Sequence, residues 1–141
     1  MAGMKQLAVG AALLTLVLVG CGSGETNGVP KAGRNIDIEM IDNKFSPVTV
    51  SLTEGEAVTF VFTNSGSVEH EAIIGDAQVQ DEHEAEMTGR GMDHDSSAAI
   101  AVAPGKTGEL DFTADEAGTL LIGCHVPGHY EAGMKAKVEI E

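Results

Sequence analysis

The sequence predicts an all-β domain, a Greek-key β-sandwich that carries a partly helical acidic insertion. Three observations predict it. From Asn35 onward, apolar residues recur at every second position in short runs, the period of a half-buried strand. Turn-forming stretches such as "TEGE", "APGK" and "DEAG" separate those runs. One segment, 76–95, breaks the alternation: it is polar, acidic and poor in β-branched residues.

The elements follow in chain order. Lys5 precedes an uncharged apolar run from Leu7 to Gly20, which is too short for a comfortable membrane span and reads as a targeting segment. It ends in "LVGC", Leu18 to Cys21, which resembles the lipobox of bacterial lipoproteins. That resemblance implies a signal peptide over residues 1–20, cleavage before Cys21 and lipidation of Cys21. The domain would then hang from a lipid bilayer on the exported, periplasmic side of the bacterial cell envelope. Residues 21–34, containing "GSGETNGVPKAGR", are too polar and Gly-rich to bury a core and read as a flexible tether. Residues 35–141 have the size of one small domain.

Within that domain "NIDIEMI" sets Ile36, Ile38 and Met40 on one face. "PVTVSL" does the same with Val48, Val50 and Leu52, and "EAVTFVF" with Val58, Phe60 and Phe62. "VEHEAIIG", "AAIAVA", "PGKTGELDFTA", "AGTLLIGC" and "MKAKVEIE" complete seven or eight strands, a number that suits a sandwich. The insertion 76–95 divides in two: helix-favouring Gln, Glu and Ala over about 77–87, then a Gly-containing loop. We expect it to cover one side of the sandwich.

The chain has 22 acidic and 8 basic residues, a formal net charge of −14, and Lys5 leaves with the signal. Phosphate binding needs a basic face, so nucleic acid is excluded as a partner and basic proteins are favoured. If Cys21 carries lipid, Cys124 is left without a partner in an oxidising compartment. Such a cysteine is reactive, intermolecular or a metal ligand.

Its surroundings favour the last. "CHVPGHYEAGM" holds Cys124, His129 and Met134 around Pro127, Gly128 and Gly133. Pro127 and Gly128 can turn the chain so that His129 comes back towards Cys124, and Gly133 lets Met134 approach from a third side. A thiolate, imidazoles and a weak thioether suit copper, whereas zinc wants four Cys or His donors. The loop is too tight to supply every donor, and "TNSGSVEHEAII" offers His70 at the start of a strand. His125, next to Cys124, would point to the opposite side of its strand.

These residues resemble those of the cupredoxins, the small blue-copper sandwich proteins: an early His after an "N-x-G"-like turn, then Cys, His and Met in one late loop. The resemblance covers residues 35–141 apart from the insertion. The Cys-x4-His-x4-Met spacing looks like that of the auracyanins and rusticyanin. It implies a mononuclear type 1 copper (Cu+/Cu2+) held by His70, Cys124, His129 and Met134. It also implies electron passage through the edge of His129, rimmed by Val126, Pro127, Tyr130 and Ala132. Two positions depart from the family. Glu71 stands where many members have an Asn that bonds across to the cysteine loop, and Leu120 stands where many have a Tyr.

The expected function is therefore electron transfer in the envelope, with a redox partner protein of basic charge. The alternative is copper handling, by buffering, tolerance or delivery. His83, Met87, Met92 and His94 in the insertion motivate that alternative as a secondary copper site, because His83 and Met87 share a helix face. No Ser-His-Asp spacing or phosphate loop points to an enzyme.

Overall fold

A computed structural model describes residues 33–89 and 98–141. The expected signal peptide, most of the tether with Cys21, and both Met92 and His94 lie outside the described residues. Two sheets face each other. The first has the order β2-β1-β4-β7, made of β1 (Arg34–Ile41), β2 (Lys44–Ser46), β4 (Ala57–Asn64) and β7 (Thr107–Thr113). The second has the order β3-β9-β8-β5-β6, made of β3 (Thr49–Leu52), β5 (His70–Gly75), β6 (Ala99–Val102), β8 (Gly118–Gly123) and β9 (Lys135–Ile140). Among the described residues one helix, α1 (Ala77–Gly89), leaves β5 and packs on β5 and β8.

The chain crosses between the sheets at β2–β3, β3–β4, β4–β5, β6–β7 and β7–β8, as a Greek-key sandwich requires. Most neighbours are antiparallel, but β1 runs parallel to β4 and β3 parallel to β9. The alternation read from sequence becomes the core. Ile36, Ile38 and Met40 of β1 and Val58, Phe60 and Phe62 of β4 pack towards Ala136, Val138 and Ile140 of β9. Phe60 lies 5.9 Å from Phe62 and 5.9 Å from Phe112, ring centre to ring centre.

Three details differ from the sequence expectation. A ninth strand among the described residues, β2, is only three residues long, too short to show alternation. Val48 does not share the buried face of Val50 and Leu52: it lies ahead of β3, is 63% exposed, and contributes only its carbonyl to β9 through Lys137 N. The helix continues to Gly89, beyond the expected end.

Strand β5 is buried at all six positions. A sandwich strand that faces water on one side alternates instead, as β1 does. The cause is α1, which covers the outer face of β5 and so makes Glu71 and Ile73 as dry as the inward-facing Ala72 and Ile74.

Candidate metal centre

The period of two in β5 sends His70, Ala72 and Ile74 to the core and Glu71 and Ile73 to the helix side. At the end of β8, Ile122 and Cys124 face inward, while Gly123 and His125 face α1. His70 and Cys124 therefore meet at one end of the sandwich although 54 positions separate them. His70 Nδ1 lies 3.8 Å from Cys124 Sγ, and His129 Nδ1 lies 3.5 Å from the same sulfur. The donor atoms of all three fall within 4.8 Å of one another. The two imidazole rings are 5.0 Å apart.

The loop is held by its own main chain. His129 N donates to Val126 O (2.9 Å), Ala132 N to Gly128 O (3.0 Å) and Gly133 N to Tyr130 O (3.1 Å). Gly128 and Gly133 sit at φ 84° and 94°, which side chains with a Cβ rarely adopt. Met134 follows at once. Its N donates to His129 O (2.9 Å), its O accepts from Cys124 N (3.2 Å), and its side chain is fully buried. Met134 is thus tied by hydrogen bonds to both loop donors. The β4–β5 turn that presents His70 is fixed by Asn64. Its side chain accepts from Gly66 N and donates to the carbonyls of Val68 and Val102.

This donor set fits copper. Burial pushes the Cys124 thiol above its ordinary range, against the opposing hydrogen bond that Glu71 N donates to Sγ at 3.4 Å. Burial also pushes the His70 imidazole below its ordinary value, so its neutral, ligating form is favoured. A buried thiol whose proton must leave, beside a His70 ring held neutral by burial, makes metal uptake proton-coupled. At position 71, where the sequence departs from the family, the Glu71 main chain is what reaches the cysteine sulfur. Leu120 is half-buried against the core.

Around the centre, His129 and Val126 are half-buried and Pro127 and Ala132 are exposed, as a rim requires. Tyr130 is different. Its ring stacks on His125 at 4.3 Å, and Lys135 Nζ sits 3.5 Å over it.

A second polar layer lies behind the centre, under α1. His125 is buried, with Nε2 2.8 Å from Gln80 Oε1 and Nδ1 2.5 Å from Glu84 Oε2. Gln80 Nε2 donates to the carbonyls of Ile73 and Leu121, so its oxygen is the atom facing His125, and His125 Nε2 donates. The other contact pairs the imidazole with the Glu84 carboxylate. Gly123 makes room for this layer: a Cβ there would come within 2.2 Å of Gln80 Oε1. His83, 14% exposed, brings Nε2 to 3.7 Å from Glu71 Oε2 and its ring to 5.0 Å from that of His125. Of the expected secondary copper residues, His83 thus meets Glu71 and His125, and Met87 lies in the last part of α1.

Sequence reasoning left Asp42, Gln80 and Glu84 out of this region. Gln80 and Glu84 carried a signal, being four apart on one helix face. Asp42 carried none, because the turn that bears it gains meaning only when β1 and β4 pair.

Comparisons with known proteins agree with this geometry. The model of the copper-binding proteins of the plastocyanin/azurin family matches residues 33–141. The copper-resistant cuproprotein CopI of Rubrivivax gelatinosus is 36% identical over 119 residues, covering 83% of this chain and 72% of that protein. Auracyanin-A of Chloroflexus aurantiacus is 32% identical over 147 residues, covering 90% of each. The structure of auracyanin B superposes with a TM-score of 0.69 at 21% identity, covering 81% of this chain and 93% of that one, which is a likeness of fold.

Proposed function

The chain belongs to the plastocyanin/azurin family of copper-binding proteins, and from that premise we propose that it is a one-electron carrier with a single type 1 copper held by His70, Cys124, His129 and Met134. The observation that carries this reading is the convergence of one thiol sulfur and two imidazole nitrogens within 4.8 Å, from the start of β5 and from the loop that follows β8. Copper, when bound there, supplies a one-electron couple. The chain's part is to hold the donors. Neighbouring strands β5 and β8 of the second sheet fix His70 and Cys124, and the hydrogen-bonded loop fixes His129 and Met134. Donors set by the fold need little rearrangement when the ion's charge changes. No open position for a substrate is required, so the reading is of a carrier rather than an enzyme.

His129, half-buried beside Val126 and Pro127, offers the edge through which electrons would enter and leave. A strongly acidic chain suits a basic redox partner. The lipobox-like "LVGC" supports anchoring through lipidated Cys21 on the exported side of the bacterial envelope.

A second reading, copper handling in the same compartment, is favoured by the likeness to a copper-resistant cuproprotein and by the placement of His83 beside Glu71 and His125. The test is a visible spectrum with a copper count on the mature chain. One copper, an intense thiolate-to-copper band and a reversible couple support the carrier. More than one tightly held copper, with the excess lost on replacing His83, Met87, Met92 and His94, supports handling. A colourless copper-loaded protein refutes the type 1 assignment.

A further inference from the structure

We propose that Asp42 is the positioning residue of the copper centre, holding the far nitrogen of His70 so that the near nitrogen presents its lone pair to the metal. The inference rests on the ligand assignment above and adds to it a residue outside the ligand set. Asp42 stands in the turn between β1 and β2, where Asn43 takes a left-handed φ of 65°. The β4–β5 loop docks on that turn. Ser65 N donates to Met40 O (2.9 Å), Ser67 N donates to Asp42 Oδ1 (3.0 Å) and Ser67 Oγ donates to Asp42 Oδ2 (2.8 Å). Both carboxylate oxygens are thereby oriented. Oδ1 then reaches the fully buried His70, 3.3 Å from Nε2, along an approach too oblique to count as a full hydrogen bond.

The geometry around this contact is reserved for it. Gly66 passes directly beside the pair, and a Cβ at that position would come within 2.4 Å of Asp42 Oδ1 and 2.7 Å of His70 Nε2. Asp42 keeps 47% of its side chain in water, so its charge stays solvated on one side while one oxygen faces the buried ring. The two nitrogens of His70 therefore face two different groups, the Asp42 carboxylate and the Cys124 thiol. An ionised carboxylate only accepts hydrogen bonds. A neutral ring beside it places its proton on Nε2 and leaves Nδ1 free to ligate. Carboxylate–imidazole–metal relays of this kind set the tautomer and raise the basicity of the ligand. A negative charge behind the ligand also favours the more highly charged Cu(II) state.

The experiment compares the mature chain with Asp42→Asn and Asp42→Ala, metal-free and copper-loaded. Asparagine keeps an oxygen on Ser67 N and an acceptor facing His70, but no charge. Alanine removes both. In metal-free protein, 15N shifts of the His70 ring are expected to show the Nε2–H tautomer in wild type and in Asp42→Asn, and its loss in Asp42→Ala. In copper-loaded protein, Asp42→Ala is expected to lower Cu(II) affinity about 10- to 100-fold. Asp42→Asn is expected to move the redox equilibrium about tenfold towards Cu(I), or about 59 mV for one electron. An Asp42→Ala protein that keeps the Nε2–H tautomer and wild-type copper affinity overturns the positioning role. An unmoved potential in Asp42→Asn overturns the role of its charge. If wild type itself lacks the thiolate-to-copper band, the ligand assignment fails, and the metal-free tautomer result still judges Asp42.

Discussion

Gln80→Leu is the most direct test of the load that α1 carries. The substitution keeps the side chain's size and removes three hydrogen bonds in a dry layer, to Ile73 O, Leu121 O and His125 Nε2. Each typical bond is worth about 1 kcal/mol net, and a buried donor left unpaired costs about 1–3 kcal/mol. The His125 ring cannot turn to find another acceptor, because Glu84 holds its other nitrogen and Tyr130 stacks on its face. The expected loss is about 3 kcal/mol. Read by urea unfolding of the metal-free protein, with a slope of about 1–3 kcal/mol/M, that lowers the midpoint by about 1–3 M. Gln78→Ala is the control. Among the described residues Gln78 bonds through its side chain to Glu82, on the exposed side of the same helix, so a change of no more than about 0.5 kcal/mol is expected. Equal midpoints for wild type and Gln80→Leu would show that α1 rests on the sheet without being fastened to it.

Phe60→Ala removes a fully buried ring that packs against Phe62 and Phe112, and should cost about 3–5 kcal/mol by the same assay without changing the copper spectrum at saturating copper. Cys124→Ser should abolish the intense visible band; a variant that keeps it would place the thiolate ligand elsewhere. Glu56 has its carboxyl held below the ordinary value of 4.5, first by the hydrogen bond from Arg34 and then by Thr53 N. Its contribution is present above the unfolded value and is lost as pH falls through the lower folded one. Glu56→Gln should therefore reduce the acid-side fall in stability, with the urea midpoint measured against pH; an acid limb identical to wild type would refute the linkage.

Much of the fold was legible because burial in a sandwich has a period of two, and Ile36, Ile38, Met40, Val58, Phe60 and Phe62 display it without interruption. The meeting of His70 with the Cys124 loop was legible through a family resemblance rather than through spacing, since no local rule brings together residues on separate strands. Parallel pairing of β1 with β4 left no mark on either strand, and Asp42 depends on that pairing. Val48 was misplaced because alternation does not say where a strand begins. The buried polar layer was hidden for another reason. Glu71, Gln80 and His125 carry the composition of a solvated surface, and only the docking of α1 makes them interior.

The alternation of β5 and the end of β8 sets each inner donor next to an outer anchor: Glu71 follows His70, and His125 follows Cys124. Anyone grafting this loop onto another sandwich inherits that coupling. A transplant that takes the late loop but leaves the helix behind would strand the His125 nitrogens over a bare sheet. The smallest portable unit is therefore the loop together with its roof.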